Sequence, residues 1–179
     1  MKIYTREGDE GETGLLYGGR VSKSSALPEA YGTVDEAQAI IGLVRTECEK
    51  GSNLEEKIIH IERDLYVLMA ELATDPAKHH KLESGKNKVS EEMITFLEDF
   101  IDEITDSFEL PKEFVLPGQN RISALLDVSR TVVRRAERRT IACGIKDSLA
   151  VSYLNRLSDL LWAMARWQEG ESITSRSVK

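Results

Sequence analysis

A chain of 179 residues with 41% hydrophobic content can build one continuous core, whereas two domains of that combined length would each be marginal. A formal charge of −7 and a pI near 5.1 exclude a general nucleic-acid binder, which needs a basic surface to displace counterions, so any site for a polyanion must be local. The two cysteines, Cys48 and Cys143, are too far apart and too few for a disulfide framework or a zinc site, and are expected as small buried apolar groups.

The opening Met-Lys-Ile-Tyr carries no apolar signal core, and no run approaches the ~20 apolar residues of a membrane helix. A cytoplasmic protein without membrane or nucleic-acid partners is expected. Residues 4–20 hold five of the twelve glycines and show neither helical nor alternating periodicity, which predicts a loop. Such glycines let backbone N–H groups converge on phosphate oxygens, with Thr5, Thr13 and Ser22 able to add hydroxyls; a flexible arm is the plainer reading. A P-loop is excluded, because Arg20 and Val21 stand where Lys and Ser or Thr are required.

From Ala26 to about Lys50, Tyr31, Val34, Ala37, Ile41, Val44 and Cys48 recur at steps of three and four and predict a first helix, with Pro28 tolerated in its first turn. Leu54, Ile58, Ile61, Leu65, Leu68 and Leu72 predict a second, to about Thr74, with the seam of antiparallel bundle packing. Residues 75–89 read as a polar surface loop. The pair His79-His80 within it makes a poor metal site, since adjacent side chains diverge and no Glu-x-x-His element accompanies them. Ser90 caps a third helix to about Phe108 whose Met93, Phe96, Leu97, Phe100, Ile101 and Ile104 face inward.

A short connection containing Phe114 and the turn signal Pro117-Gly118 leads to a fourth helix from Arg121 to about Ile145, capped by Asn120. Ile122, Leu125, Leu126, Ser129, Val133, Ala136 and Thr140 form its core stripe. Arg130, Arg134 and Glu137 lie beside that stripe, while Arg121, Arg135 and Arg139 flank its other side. Between 121 and 139 six arginines face only Asp127 and Glu137, in a chain that is acidic elsewhere. Guanidinium forks match phosphate oxygens two at a time, so an anionic ligand is one reading; a solvated face of i, i+4 ion pairs is the commoner meaning of such a run. The last helix, capped by Asp147 or Ser148, reaches Glu169 with Ala150, Tyr153, Leu154, Leu157, Leu161, Met164 and Ala165 inward. Val151, Asn155, Asp159 and Trp162 line its opposite face, a mixture that suits a ligand or another subunit. A mobile tail is expected from 170 to 179.

Five segments, in this order, together resemble the trimeric ATP:cob(I)alamin adenosyltransferases of the propanediol-utilisation (PduO) type. They are Tyr4-Thr-Arg-Glu-Gly-Asp-Glu-Gly-Glu-Thr13, Glu29-Ala-Tyr-Gly-Thr-Val-Asp-Glu36, Phe114-Val-Leu-Pro-Gly118, Arg130-Thr-Val-Val-Arg-Arg-Ala-Glu-Arg138 and Tyr153-Leu-Asn-Arg-Leu-Ser-Asp159. The resemblance covers nearly the whole chain. It departs at Gln119, where the family usually has a second glycine, and at Ala37-Gln38-Ala39 after Asp35-Glu36.

The resemblance implies an all-α five-helix bundle with ferritin-like up-and-down packing, a glycine-rich N-terminal loop, and a homotrimer with sites between subunits. One domain is implied over 1–179, with an ATP-binding loop at 1–25, a bundle at 26–169 and the tail beyond. ATP would be held by Thr5, Arg6, Glu7, Gly8, Thr13, Gly14 and Lys23 of one subunit and by Arg134, Arg135, Ala136, Glu137, Arg138 and Asn155 of the next. Arg134, Arg130, Asp35 and Phe114 carry the catalytic assignments, with Asp35 and Arg130 matching an intersubunit ion pair and Phe114 shaping the corrin site. Reduced cobalamin is then the second substrate, Mg²⁺ accompanies ATP with unknown protein ligands, and the products are adenosylcobalamin and triphosphate. A cob(II)alamin reductase and an adenosylcobalamin-dependent acceptor enzyme are implied partners.

The chemistry agrees, since cob(I)alamin is itself the nucleophile and no catalytic Ser, Cys or His is needed. An ATP-binding regulatory bundle would use the same arm and arginines but would have no use for an apolar wall at Phe114. A scaffold protein would use the arginines only as an oligomer interface. An RNA-binding helix fits least, because the rest of the chain is acidic and no aromatic platform accompanies the arginines.

Overall fold

The computed structural model describes residues 3–176; the first two residues of the expected ATP loop and the last three of the expected tail lie outside the described residues. Five α-helices form the body: α1 Ala26–Thr46, α2 Asn53–Leu72, α3 Glu91–Thr105, α4 Arg121–Ala142 and α5 Ala150–Glu169. Each buries the stripe its periodicity predicts, through Val34, Ile41 and Val44 on α1, Ile58, Leu65 and Leu72 on α2, Leu97 and Phe100 on α3, Leu126 and Val133 on α4, and Leu154, Leu157 and Leu161 on α5. Helix α4 packs between α1 and α5, α3 lies against α5 and α2 against α1. A Lys57–Glu103 ion pair of 2.7 Å and a His60–Phe96 stack with centroids 3.9 Å apart join α2 to α3 and close the bundle.

Helix ends differ from the sequence expectation by a turn at most. Helix α1 stops at Thr46 because Gly51, at φ 78°, turns the chain into α2, where the Ser52 hydroxyl accepts from Glu55 N–H. Asn120 caps α4 as expected, its side chain accepting from Ser123 N–H at 2.9 Å. Helix α5 begins at Ala150, its N–H met by the Ser148 hydroxyl at 3.1 Å. The loop expected at 75–89 contains a 3-10 turn, Pro76–Lys81, capped by Asp75. Both cysteines are half-buried rather than fully buried, and partial burial raises their thiol pKa values.

Two stretches are more ordered than sequence suggests. The arm holds a hairpin, β1 Glu12–Gly14 paired antiparallel with β2 Arg20–Ser22 in the register Thr13 opposite Val21. Where a mobile tail was expected, residues 173–175 pair with the Phe114 connection: Leu116 N–H donates to Ile173 O and Ser175 N–H to Phe114 O, each at 2.8 Å. Among the described residues no helix is long and apolar enough to cross a membrane.

Candidate active site

The hairpin is fastened to the bundle at its tip. Tyr17, Gly18 and Gly19 all have positive φ, a conformation that turns two carbonyls outward, and the Lys78 ammonium donates to both Tyr17 O and Gly18 O. Leu16 N–H donates to Ala73 O at 2.8 Å and Asn87 Nδ2 to the Tyr17 hydroxyl at 2.7 Å. This anchoring fixes the segment before the hairpin. Arg20 donates to Glu7 O at 2.7 Å and to the Glu12 carboxylate at 3.2 Å, so the residue that excluded a P-loop acts as a strut.

Within the arm, Thr5 Oγ1 accepts from Glu7 N–H at 3.4 Å, Gly11 N–H donates to Gly8 O at 3.2 Å and Lys23 N–H to Gly11 O at 2.8 Å. A Cβ at Gly8 would stand 2.8 Å from Lys23 Nζ. Thr5, Arg6, Glu7, Gly8 and Lys23 therefore form one exposed cradle, with Thr13 and Gly14 on the adjoining strand. Its amides, ammonium and hydroxyls are donors suited to phosphate oxygens.

Helix α4 divides its arginines between two tasks. Arg135 pairs with Glu36 at 2.5 Å, Arg139 with Glu29 at 3.1 Å and Arg121 with Glu47 at 2.8 Å, so this flank knits α4 to α1 and its edge. The opposite flank stays open. Arg134 and Arg138 are exposed, and among the described residues neither has a carboxylate partner; Arg138 Nη1 donates only to Arg134 O at 2.9 Å. Glu137, on the same side, accepts from Asn155 Nδ2 of α5 at 3.1 Å.

Two of the expected nucleotide residues point away from that open flank within the chain. Arg135 is turned to α1 and held by Glu36, because it lies on the flank away from Arg134. Ala136 is fully buried on the core stripe and offers a ligand no surface.

Phe114 is 89% exposed, which rules out a core anchor, and it stands on the rim of a cavity of about 590 Å³. The connection Pro111–Pro117 forms one side with Ser175 and Arg176 of the tail; Asp127, Arg130, Trp162 and Arg166 form the other. Trp162 thus faces a cavity, as the mixed outer face of α5 suggested. Arg130 Nε lies 3.4 Å from Asp127 Oδ1. Asp35 is exposed on a separate groove with Gln38, Arg45, Glu62 and Tyr66, and makes no ion pair with Arg130 within the chain.

Sequence reasoning missed Asp127 and Arg166 as site residues; a charged residue at a helix's buried positions is the only signal they carry. It also missed a buried polar contact between α5 and α2, where Tyr153 donates to Asp64 Oδ2 at 3.3 Å, with His60 Nε2 at 3.7 Å. Burial pushes the Asp64 carboxyl up to about 6, against the opposing effects of His60 and the Tyr153 hydrogen bond. Among the described residues no group of three or more His, Cys, Asp or Glu is placed to hold a metal ion.

The family model for cobalamin adenosyltransferase matches residues 3–168. The chain is 42% identical over 172 residues to a corrinoid adenosyltransferase of Citrobacter freundii, covering 94% of this chain and 95% of that protein. It is 38% identical over 172 residues to a corrinoid adenosyltransferase of Bacillus subtilis (strain 168), covering 93% and 86%. Among solved structures, a variant of the PduO-type ATP:corrinoid adenosyltransferase from Lactobacillus reuteri, complexed with cobalamin and ATP, superposes with a TM-score of 0.88 at 29% identity, over 99% of this chain and 98% of that one.

Proposed function

Since the chain belongs to the PduO-type cobalamin adenosyltransferase family and transfers the 5′-deoxyadenosyl group of ATP to the cobalt of cob(I)alamin, we propose that its site is divided between two subunits. The arm cradle of Thr5 to Gly8, Thr13, Gly14 and Lys23 receives the triphosphate of ATP. Arg134, Glu137, Arg138 and Asn155 of the neighbouring subunit complete the nucleotide site, and Asp35 of one subunit meets Arg130 of the next. A homotrimer closes this geometry. One observation carries the reading: of the α4 arginines, those toward α1 are neutralised by Glu29, Glu36 and Glu47, while Arg134 and Arg138 on the open side have no carboxylate partner among the described residues.

Cobalt supplies the electron pair that attacks the 5′ carbon, and triphosphate leaves with the electrons of the broken C–O bond. The protein's share is alignment and charge: Arg134, Lys23 and the arm amides take up the charge of the departing triphosphate, and preorganised donors of this kind are the main source of such catalysis. Mg²⁺ would ride on the phosphate oxygens, because the cradle supplies ammonium, amide and hydroxyl donors rather than a carboxylate cage. Phe114 covers the axial face of cob(II)alamin and keeps water off the metal, which makes it reducible by an electron-donating partner. A cytoplasmic setting, supported by two free thiols, and hand-over to an adenosylcobalamin-dependent enzyme complete the reading.

The test is anaerobic incubation of the protein with Mg-ATP and reduced cobalamin. Cobalt–carbon bond formation that is rapid in the wild type and lost in Arg134→Ala is the expected result. ATP binding with no bond formation by the wild type would instead leave a nucleotide-binding regulatory bundle.

A further inference from the structure

Arg166 of α5 is 3% exposed, and nothing in the division of labour above gives it a task. A guanidinium buried this deeply is costly unless oxygens meet it. Its Nη2 meets two carboxylates, donating to Asp127 Oδ2 at 2.5 Å and to Glu169 Oε1 at 2.8 Å, while its Nε has no partner among the described residues. Asp127 is itself 7% exposed and splits its oxygens, one toward Arg166 and the other 3.4 Å from Arg130 Nε. Arg166, Asp127 and Arg130 line the Phe114 cavity, where Trp162 lies with its ring centroid 5.9 Å from the Arg166 guanidinium.

We propose that Arg166 is a positioning residue for adenosyl transfer, acting through Asp127 to aim Arg130 at the cavity and the neighbouring subunit. The inference rests on the reading of the Phe114 cavity as the corrin site. Its physics is a competition for one carboxylate. Because Arg166 satisfies Oδ2 closely, Asp127 needs only a long contact from Arg130 Nε, and the terminal nitrogens of Arg130 remain available for other partners. Without the Arg166 charge, Arg130 becomes the sole counter-charge of a buried carboxylate and is drawn inward to it. The second carboxylate extends the control to the cavity's far wall: Glu169 Oε2 accepts from Ser172 at 2.8 Å, at the point where the chain leaves α5 to pair with residues 114–116.

Two variants of the full chain test this, assayed with Mg-ATP and cobalamin under anaerobic conditions. Arg166→Lys keeps the charge, but its shorter reach withdraws the cation from the point where Nη2 meets both Asp127 and Glu169; Arg166→Met removes the charge at similar length. Both are expected to lower kcat, by on the order of tenfold for the lysine variant and up to a hundredfold for the methionine variant, as misaligned groups do. The KM for ATP stays at the wild-type value, and the spectrum of bound cob(II)alamin moves toward the water-ligated form. If Arg166→Met does not fold, Arg166→Lys decides alone. A lysine variant with wild-type kcat and spectrum overturns the proposal, as does either variant in which kcat, KM for ATP and melting midpoint shift together. The wild type is the control for the premise: if it shows no ATP-dependent loss of the axial water, the corrin reading itself fails and the proposal with it.

Discussion

Lys23 Nζ lies so close over Gly8 that a Cβ on the glycine would come within 2.8 Å of it. The clashing atom is the far end of a flexible side chain, so Gly8→Ala moves the ammonium rather than the backbone. Stability should change by less than ~0.5 kcal/mol, because the residue is only partly buried and the atom that must give way is the end of an exposed side chain. Displacing a charge-assisted phosphate donor should cost ~1.5 kcal/mol of binding, or about tenfold in KM for ATP. Thermal melting and ATP kinetics on one preparation separate the two effects. An unchanged KM would remove Lys23 from the nucleotide site.

Adjacent arginines on α4 should behave oppositely. Arg134→Ala removes an unpaired guanidinium from the open flank and should lose ~1.5–3 kcal/mol of transition-state stabilisation, a fall of about ten- to a hundredfold in kcat/KM for ATP. Arg135→Ala removes a half-exposed pair with Glu36, for which under ~1 kcal/mol of stability and little activity are expected. Equal losses in kcat/KM from the two variants would contradict the split helix.

That split shows what sequence could and could not convey. Helical period alone put Arg135 and Arg139 on the flank opposite Arg134, and the structure agrees; the assignment of Arg135 and of buried Ala136 to the nucleotide site came from the family motif, taken as the block 134–138. The helices were legible because their stripes of three and four repeat over 15 to 22 residues. The arm's strands were not, since three residues are too few to show alternation. Nor was the pairing of 173–175 with the Phe114 connection, which runs through backbone groups that every residue carries. The Arg166–Asp127 pair joins residues 39 positions apart, a relationship no local pattern records.

Asp35 and Arg130 form no ion pair within the chain, so a direct contact between them needs the proposed subunit interface. Asp35→Asn should cost ~3–5 kcal/mol of assembly if it leaves the terminal nitrogens of a desolvated Arg130 unmet, and under ~1 if the pair stays exposed. Sedimentation of the single and double variants reads the coupling as a shift from the proposed trimer toward smaller species. A double-mutant cycle that closes to zero places the two residues away from a common interface.

Asp64 predicts a pH dependence that runs against ordinary acid denaturation. Its carboxyl titrates near 6 in the fold against 3.8 when unfolded, so between those values the folded state holds the extra proton. Stability from this group is therefore greatest below about pH 4 and declines as pH rises through 6, by ~3 kcal/mol in all. Asp64→Asn, which stays neutral and keeps an acceptor for Tyr153, should be more stable than the wild type at pH 7 by that amount. The advantage should vanish near pH 4. Melting midpoints of both proteins between pH 4 and 7.5 check the sign; a constant difference would place the titration elsewhere.

Phe114 separates corrin chemistry from ATP binding most directly. A phenyl ring 89% exposed contributes little to folding, so Phe114→Ala should melt within ~0.5 kcal/mol of the wild type, where a core aromatic would lose ~3–5. The arm cradle and Arg134 do not line the Phe114 cavity, and the KM for ATP should hold. What the variant loses is the apolar cover of the cavity rim between Pro111 and Pro117. Water can then reach the axial face of cob(II)alamin and keep the metal in the form that resists reduction. The rate of adenosylcobalamin formation from cob(II)alamin and a reductant should fall by tenfold or more, which corresponds to ~1.4 kcal/mol on the barrier. Supplying cob(I)alamin already reduced should restore most of that rate, because the lost function is access to the reduced metal rather than attack on the 5′ carbon. Equal impairment with both forms of cobalamin would assign Phe114 to alignment of cobalt with ATP instead, and no impairment with either would take it out of the site.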